Sequence, residues 1–365
     1  MTESVLDAVR RLLPAIAADA ADVDRRGAAD QDTVAGLQRA GVFAMMQPTS
    51  FGGLEADPDE YLAVIREISA ACTSTGWLAA MFAANAWHFA LFDKRAQQDV
   101  WASDSRAMLC ASYAPTGRLE RMPGGFRLSG RWTRCTGVRH ASWLMAGTLV
   151  IGEDGAAEDF TVALVPRTAY VIEPAWDGVG LRGIGAEDVV VSGATVPNYH
   201  TFGWVGGDQR AVLPPLYRLP QPTLYTHSGS APVLGAARGV LAARRPKVTT
   251  PLSVVAMADA DLELSVLQMR RNLAELMECA RVDSSPDAEM MLRARRDQVL
   301  AFERARNAVQ LFVPQSGSDD DNDGRVERVW RDVQTAGMHV ANDVDRVLSV
   351  VGQFAFGLKV DDFML

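Results

Sequence analysis

The sequence predicts a mostly helical fold with a β-domain in its middle. Three observations lead there. Up to about residue 105 the apolar residues recur at helical spacing. Between about 106 and 210 they gather in short β-rich runs bounded by turn residues. From about 225 onward long apolar stripes return on helices joined by short connections, the pattern of an antiparallel bundle. The 365 residues thus divide into a helical amino-terminal domain (1–105), a middle β-domain (106–210) and a carboxy-terminal helical bundle (211–365).

Taken in order, Val5, Val9, Leu12 and Ile16 mark a first helix, and Val34, Leu37 and Ala40 a second that Gly41 ends. Pro48 and Gly52-Gly53 make a loop. Asp57-Pro58 starts a third helix carrying Leu62, Ile65 and Ile68, and Ser74 to Trp77 opens a fourth. The run from Trp77 to Phe92 is about 16 residues, interrupted by Asn85 and His88, against the roughly 20 of a membrane span, so it reads as a buried helix. His88 inside it is either a satisfied core histidine or a residue at a pocket rim. Phe126, Leu128 and Trp132, then Trp143 to Val150, Phe160 to Val165 and Val189 to Val191, read as strands. Residues 211–224, rich in Pro and Leu, form a linker. Three bundle helices follow, marked by Leu262 to Leu276, by Leu292 to Val309, and by a valine stripe from Val326 to Val351.

Composition removes several classes of function. A net charge of −9 argues against nucleic acid as partner, because phosphate binding wants a basic face. Four cysteines (Cys72, Cys110, Cys135, Cys279) have neither metal-ligand spacing nor the density of a secreted scaffold, which suits reduced thiols in a cytoplasmic protein. The start, M-T-E-S-V-L-D-A-V, lacks the basic and apolar regions of a signal peptide. Gly178 to Gly185 is glycine-rich but does not open a helix after a strand, so it is no dinucleotide fingerprint.

Two stretches carry candidate chemistry. In Cys135-Thr136-Gly137, between two tryptophan-bearing strands, the small hydroxyl offers a hydrogen bond and Gly137 permits close backbone approach, which suits a flat polar ring. An ordinary hairpin with tryptophan in its core explains the same residues. In the last long helix, Arg328, Asp332, Thr335, His339 and Asn342 step by four, three, four and three and share one face beside the valine stripe. A solvated surface would explain such polarity too.

The segment G-G-F-R-L-S-G-R-W-T-R-C-T-G-V-R-H-A-S-W-L-M-A-G resembles the flavin-facing part of the acyl-CoA dehydrogenase fold, and more narrowly its two-component flavin monooxygenases. L-Q-R-A-G-V-F with P-T-S-F-G-G, S-T-G-W, A-S-Y-A-P-T-G, G-A-A-R-G and R-V-E-R-V-W-R-D-V-Q-T-A-G-M-H are similar to the same family, so the resemblance covers most of the chain. It implies the acyl-CoA dehydrogenase architecture (an α-helical amino-terminal domain, a middle β-barrel or sandwich and a carboxy-terminal four-helix bundle), a homotetramer, and reduced flavin (FMN, alternatively FAD) delivered by a separate flavin reductase. Flavin and O2 would form a C4a-hydroperoxide that hydroxylates an aromatic ring, or alternatively oxidises an amino-sugar nitrogen.

The resemblance places Thr136 at the flavin N5. It makes Trp132, Gly137, Ser112 and Tyr113 cofactor contacts, with Arg245 the nearest match for a neighbour's phosphate-binding arginine. Trp77, His88 and Asn342 become substrate contacts. His339, near flavin and substrate, becomes a candidate base, since imidazole titrates in the range that draws a proton from a phenol. Where many such monooxygenases have T-G-S, this chain has Ile184-Gly185-Ala186 and lacks that hydroxyl. A true dehydrogenase needs a carboxylate base in its last helices, and Ser349 to Leu358 contains neither Glu nor Asp. A non-catalytic helical bundle is the remaining rival, and it leaves the polar stripe without a purpose.

Overall fold

A computed structural model describes residues 3–203, 212–243, 251–313 and 324–360. The amino-terminal helices are α1 (Val5–Arg26), α2 (Gln31–Arg39), α3 (Pro58–Ala71), α4 (Thr73–Phe89) and the short α5 (Lys94–Gln97). Local chemistry sets their ends. Ser4 caps α1 by accepting from the Asp7 N–H, and Gly27 closes it in the left-handed conformation. Asp57 caps α3, with Pro58 in its first turn. Every residue of α4 is buried, which fits its near-uniform apolarity.

The middle domain is one seven-stranded sheet: β1 (Leu109–Met122), β2 (Gly125–Cys135), β3 (Trp143–Ile151), β4 (Ala157–Pro166), β5 (Val171–Glu173), β6 (Glu187–Pro197) and β7 (Thr201–Gly203), in the order β5-β6-β2-β1-β3-β4-β7. The two tryptophan-bearing strands therefore do not form a hairpin. β1 lies between them, antiparallel to β2 and parallel to β3. Sequence pattern did not single out β1, because Pro115 and Gly117 interrupt its alternation where the register to β3 shifts between Ser112 and Gly117.

After the short α6 (Pro215–Arg218), inside the expected linker, come α7 (Gln221–Ala243), α8 (Leu252–Arg281), α9 (Ala288–Gln310), α10 (Arg325–Gly337) and α11 (Val344–Ala355). α7 packs against α3 and α4 as well as α9, so the amino-terminal and carboxy-terminal helices share one core with the sheet's inner face. The last helix is broken, contrary to the single stripe expected from Val326 to Val351. Gly337 ends α10, and His339 caps a 3-10 turn, Val340–Asn342, before α11 begins. Asn342 stitches the break: its Nδ2 donates to Ala336 O (3.0 Å) and to Gly229 O on α7 (3.1 Å). Arg245 and the acidic loop 318–323 lie outside the described residues.

Candidate active site

A cavity of about 950 Å³ opens where sheet, α4 and bundle meet. Trp77, Met81 and Asn85 enter it from one face of α4. Ala111 to Ala114 come from β1, Thr133, Arg134 and Thr136 from the end of β2, and Tyr225 from α7. Thr335, Met338, His339 and Val340 close it at the helix break. Of the residues expected at the site, Thr136, Ser112, Tyr113, Trp77 and His339 line this cavity.

Four others do not, each for a physical reason. Trp132 is fully buried on the sheet's other side, its Nε1 donating to Gly147 O (2.8 Å). Gly137 has φ +69°, and a Cβ there would lie 2.5 Å from Leu78 and 2.7 Å from Phe82, so glycine lets this turn pack closely on α4. Asn342 holds backbone, as described above. His88 stands one layer back, its Nδ1 2.6 Å from the Tyr113 hydroxyl and its ring against Phe92 and Phe202.

The wall formed by residues 176–186 is held by the stripe on α10. The Leu181 N–H donates to Asp332 Oδ1 (2.6 Å) and the Gly180 N–H to Thr335 Oγ1 (2.9 Å). A Cβ on Gly180 would sit 2.0 Å from Arg331 O, so only glycine lets loop and helix meet here. Arg331 adds bonds to Val179 O (2.7 Å) and to Asp24 on α1 (2.8 Å). The polar stripe is therefore neither a solvated face nor directly catalytic at Asp332: it grips the cavity wall. Burial pushes the Asp332 carboxyl up to about 7, against the Leu181 N–H that favours its charge. Glu187 ties the same loop to the Thr136 turn. It accepts from the Ala175 N–H (2.8 Å), the Trp176 N–H (3.2 Å) and the Arg139 guanidinium (2.9 Å). Burial opposes its charge, but those bonds hold the carboxyl below the usual range.

At the floor, His339 engages both ring nitrogens. Nδ1 accepts from the Ala341 N–H (3.2 Å), and Nε2 lies 3.0 Å from the Tyr225 hydroxyl. The Trp77 ring meets the imidazole edge-on, centroids 5.4 Å apart. Burial first, and the Arg295 guanidinium second, pull its pKa down to about 4. No ring lone pair faces the cavity, which departs from the free base expected at this position. Sequence reasoning also missed Tyr225 and Trp176. No local pattern marks Tyr225, whose partner is 114 residues away.

His227, on α7 two residues beyond Tyr225, is likewise buried and neutral, its pKa lowered to about 4 by burial, partly offset by its bond to Thr223 O. The unfolded chain titrates near 6.5, so between pH 6.5 and 4 it binds more protons than the native state. The stability this histidine contributes is present above that window and lost on acidification through it. The stability gap between the wild type and His227→Gln should therefore shift against the wild type by about 3 kcal/mol from pH 7 to pH 4 in urea unfolding. A pH-independent gap would show the imidazole is not buried neutral.

Residues 2–104 match the family model of the acyl-CoA dehydrogenase N-terminal domain and residues 249–344 that of the C-terminal domain. The oxygenase subunit HsaA of a flavin-dependent monooxygenase from Rhodococcus jostii (strain RHA1) is 33% identical, over 97% of this chain and 98% of that one. The chain belongs to the flavin-dependent monooxygenase oxygenases of the acyl-CoA dehydrogenase fold. A solved relative of this oxygenase, the 3-HSA hydroxylase from Rhodococcus sp. RHA1, superposes with a TM-score of 0.93 at 31% identity, covering 100% of this chain and 99% of that one. The oxygenase component of an FADH(2)-dependent resorcinol hydroxylase from Rhizobium sp. (strain MTP-10005) is 29% identical over 89% of this chain and 87% of its own length. Names of this kind imply a separate reductase component. The helix-sheet-helix architecture expected from the sequence is that of the family. Among the described residues no helix is long and apolar enough to cross a membrane.

Proposed function

We propose that this oxygenase takes reduced flavin, FMN or FAD, from its reductase and uses O2 to hydroxylate a phenolic or polyketide-like aromatic ring in the 950 Å³ cavity. One observation carries the reading over acyl-CoA dehydrogenation: no Asp or Glu lines the cavity among the described residues. A dehydrogenase needs a carboxylate there to take the α-proton. The end of α11 and the residues after it, which Ser349 to Leu358 span, expose Phe354, Phe356 and Leu358 and do not line the cavity.

The lining fits a flavin. Phe160, Trp176, Leu181 and Ile184 give an apolar slot, and Thr136 adds a hydroxyl at its edge. Bound there, the flavin supplies the activation of O2. The chain's own residues then do three things. Thr136 offers a hydrogen bond to the ring's polar edge. The loop gripped by Asp332 and Thr335 excludes water from that edge. Tyr225 and Trp77 seat the aromatic substrate, with His339 holding the Tyr225 hydroxyl. Exposed Met257, Leu264 and Leu267 along α8 support self-association, which we read as the homotetramer.

Thr136→Ala tests the placement. Losing one buried hydrogen bond worth about 1 kcal/mol at the flavin's edge should raise peroxide release and lower product about fivefold. Coupling equal to the wild type would return this turn to a purely structural role.

A further inference from the structure

The proton inventory at the cavity floor is settled by one backbone group. The Ala341 N–H can only donate, so His339 Nδ1 must accept, and a neutral imidazole then carries its single hydrogen on Nε2. That N–H donates to the Tyr225 oxygen at 3.0 Å. The tyrosine hydroxyl hydrogen is thereby released from the imidazole. Tyr225 has no other hydrogen-bond partner among the described residues, and it lines the cavity. Its ring is fixed edge-to-face on Tyr113, centroids 5.6 Å apart at 83°. The imidazole is fixed as well, between Trp77 and the capped turn.

We propose that Tyr225 is the residue that meets the substrate oxygen, donating its hydroxyl hydrogen to a bound phenolate, while His339 is a positioning residue that aims that hydrogen into the cavity. The proposal rests on the aromatic-hydroxylase reading. The ring enters as the anion, its proton left in solvent, and the ionised oxygen makes the carbon beside it electron-rich, which is what oxygen transfer to a ring requires. Accepting a bond from Nε2 also polarises the tyrosine O–H, so the pair is a better donor to an anion than tyrosine alone. The imidazole takes no proton in this scheme, in keeping with an Nδ1 already committed to Ala341.

The test uses the full-length protein and p-nitrophenol, whose ionisation is visible by absorbance. At saturating protein, the bound probe should ionise about one to two pH units lower on the wild type than on Tyr225→Phe, the effect of one charge-assisted hydrogen bond. Tyr225→Phe removes a single oxygen and keeps the ring against Tyr113. His339→Gln retains an amide N–H for Tyr225 and an oxygen, but that oxygen cannot titrate as a base. It should keep most of the lowered midpoint, whereas an imidazole that itself contacts the phenol predicts full loss. Equal midpoints on the wild type and Tyr225→Phe would overturn the proposal and leave the aromatic reading standing. A midpoint lowered on Tyr225→Phe but not on His339→Gln would overturn it in favour of direct imidazole contact. Absence of saturable binding to the wild type would overturn both.

Discussion

Replacing His339 by alanine should lower product formation about 10- to 100-fold, with the fold intact. The estimate is the value of a hydrogen bond to a charged group, about 1.5–3 kcal/mol, read as a rate ratio. The imidazole is the only partner fixing the Tyr225 hydroxyl among the described residues, and truncation frees that hydroxyl to rotate. Flavin affinity should change little, because Thr136 and the Trp176 loop are held by Glu187, Asp332 and Thr335, none of which bonds to His339. Single-turnover product yield with chemically reduced flavin measures the effect. Wild-type turnover in the variant, or loss of its folded signal, would make His339 a packing residue.

Trp132→Ala should destabilise the protein by about 3–5 kcal/mol, the range for emptying a large aromatic site in a packed core. The indole is fully buried, and its Nε1 bond satisfies Gly147 O. Two glycines make room for it: a Cβ on Gly117 would lie 2.3 Å from the ring and one on Gly130 2.8 Å. Little collapse can fill the void, because those neighbours are main chain. Denaturant unfolding reads the loss. A cost under about 1 kcal/mol would contradict this burial and move Trp132 back toward the cofactor.

The contrast between these two residues shows what the sequence carries. Helices α1 to α4 were legible because their signals are local: Asp57 as a cap, Gly41 as a stop, and apolar residues at helical spacing. Strands β2, β3, β4 and β6 were legible for the same reason, yet not their neighbours. Parallel pairing of β1 with β3 joins Leu109 to Trp143 across 34 residues, and no local pattern encodes it. Thr133 lines the cavity, so alternation along β2 turns its neighbour Trp132 to the other face. The resemblance located Thr136, Ser112, Tyr113, Trp77 and His339 on the cavity wall, because each sits in a quoted motif. It could not supply Tyr225 or the grip of Asp332 and Thr335 on residues 180 and 181, which arise only when α7, α10 and the sheet pack together. The steps of four and three correctly placed Arg328, Asp332 and Thr335 on one helix face. They failed past Gly337, where Asn342 satisfies Ala336 O and the chain turns.

The most direct measurement of the central claim supplies photochemically reduced FMN or FAD anaerobically with a panel of phenols, then admits ¹⁸O2, with no nicotinamide and no reductase present. A hydroxylated phenol carrying ¹⁸O should form, and no acyl-CoA should reduce oxidised flavin on the protein. Label absent from every phenol, together with flavin reduction by an acyl-CoA, would contradict the claim and restore the dehydrogenase reading.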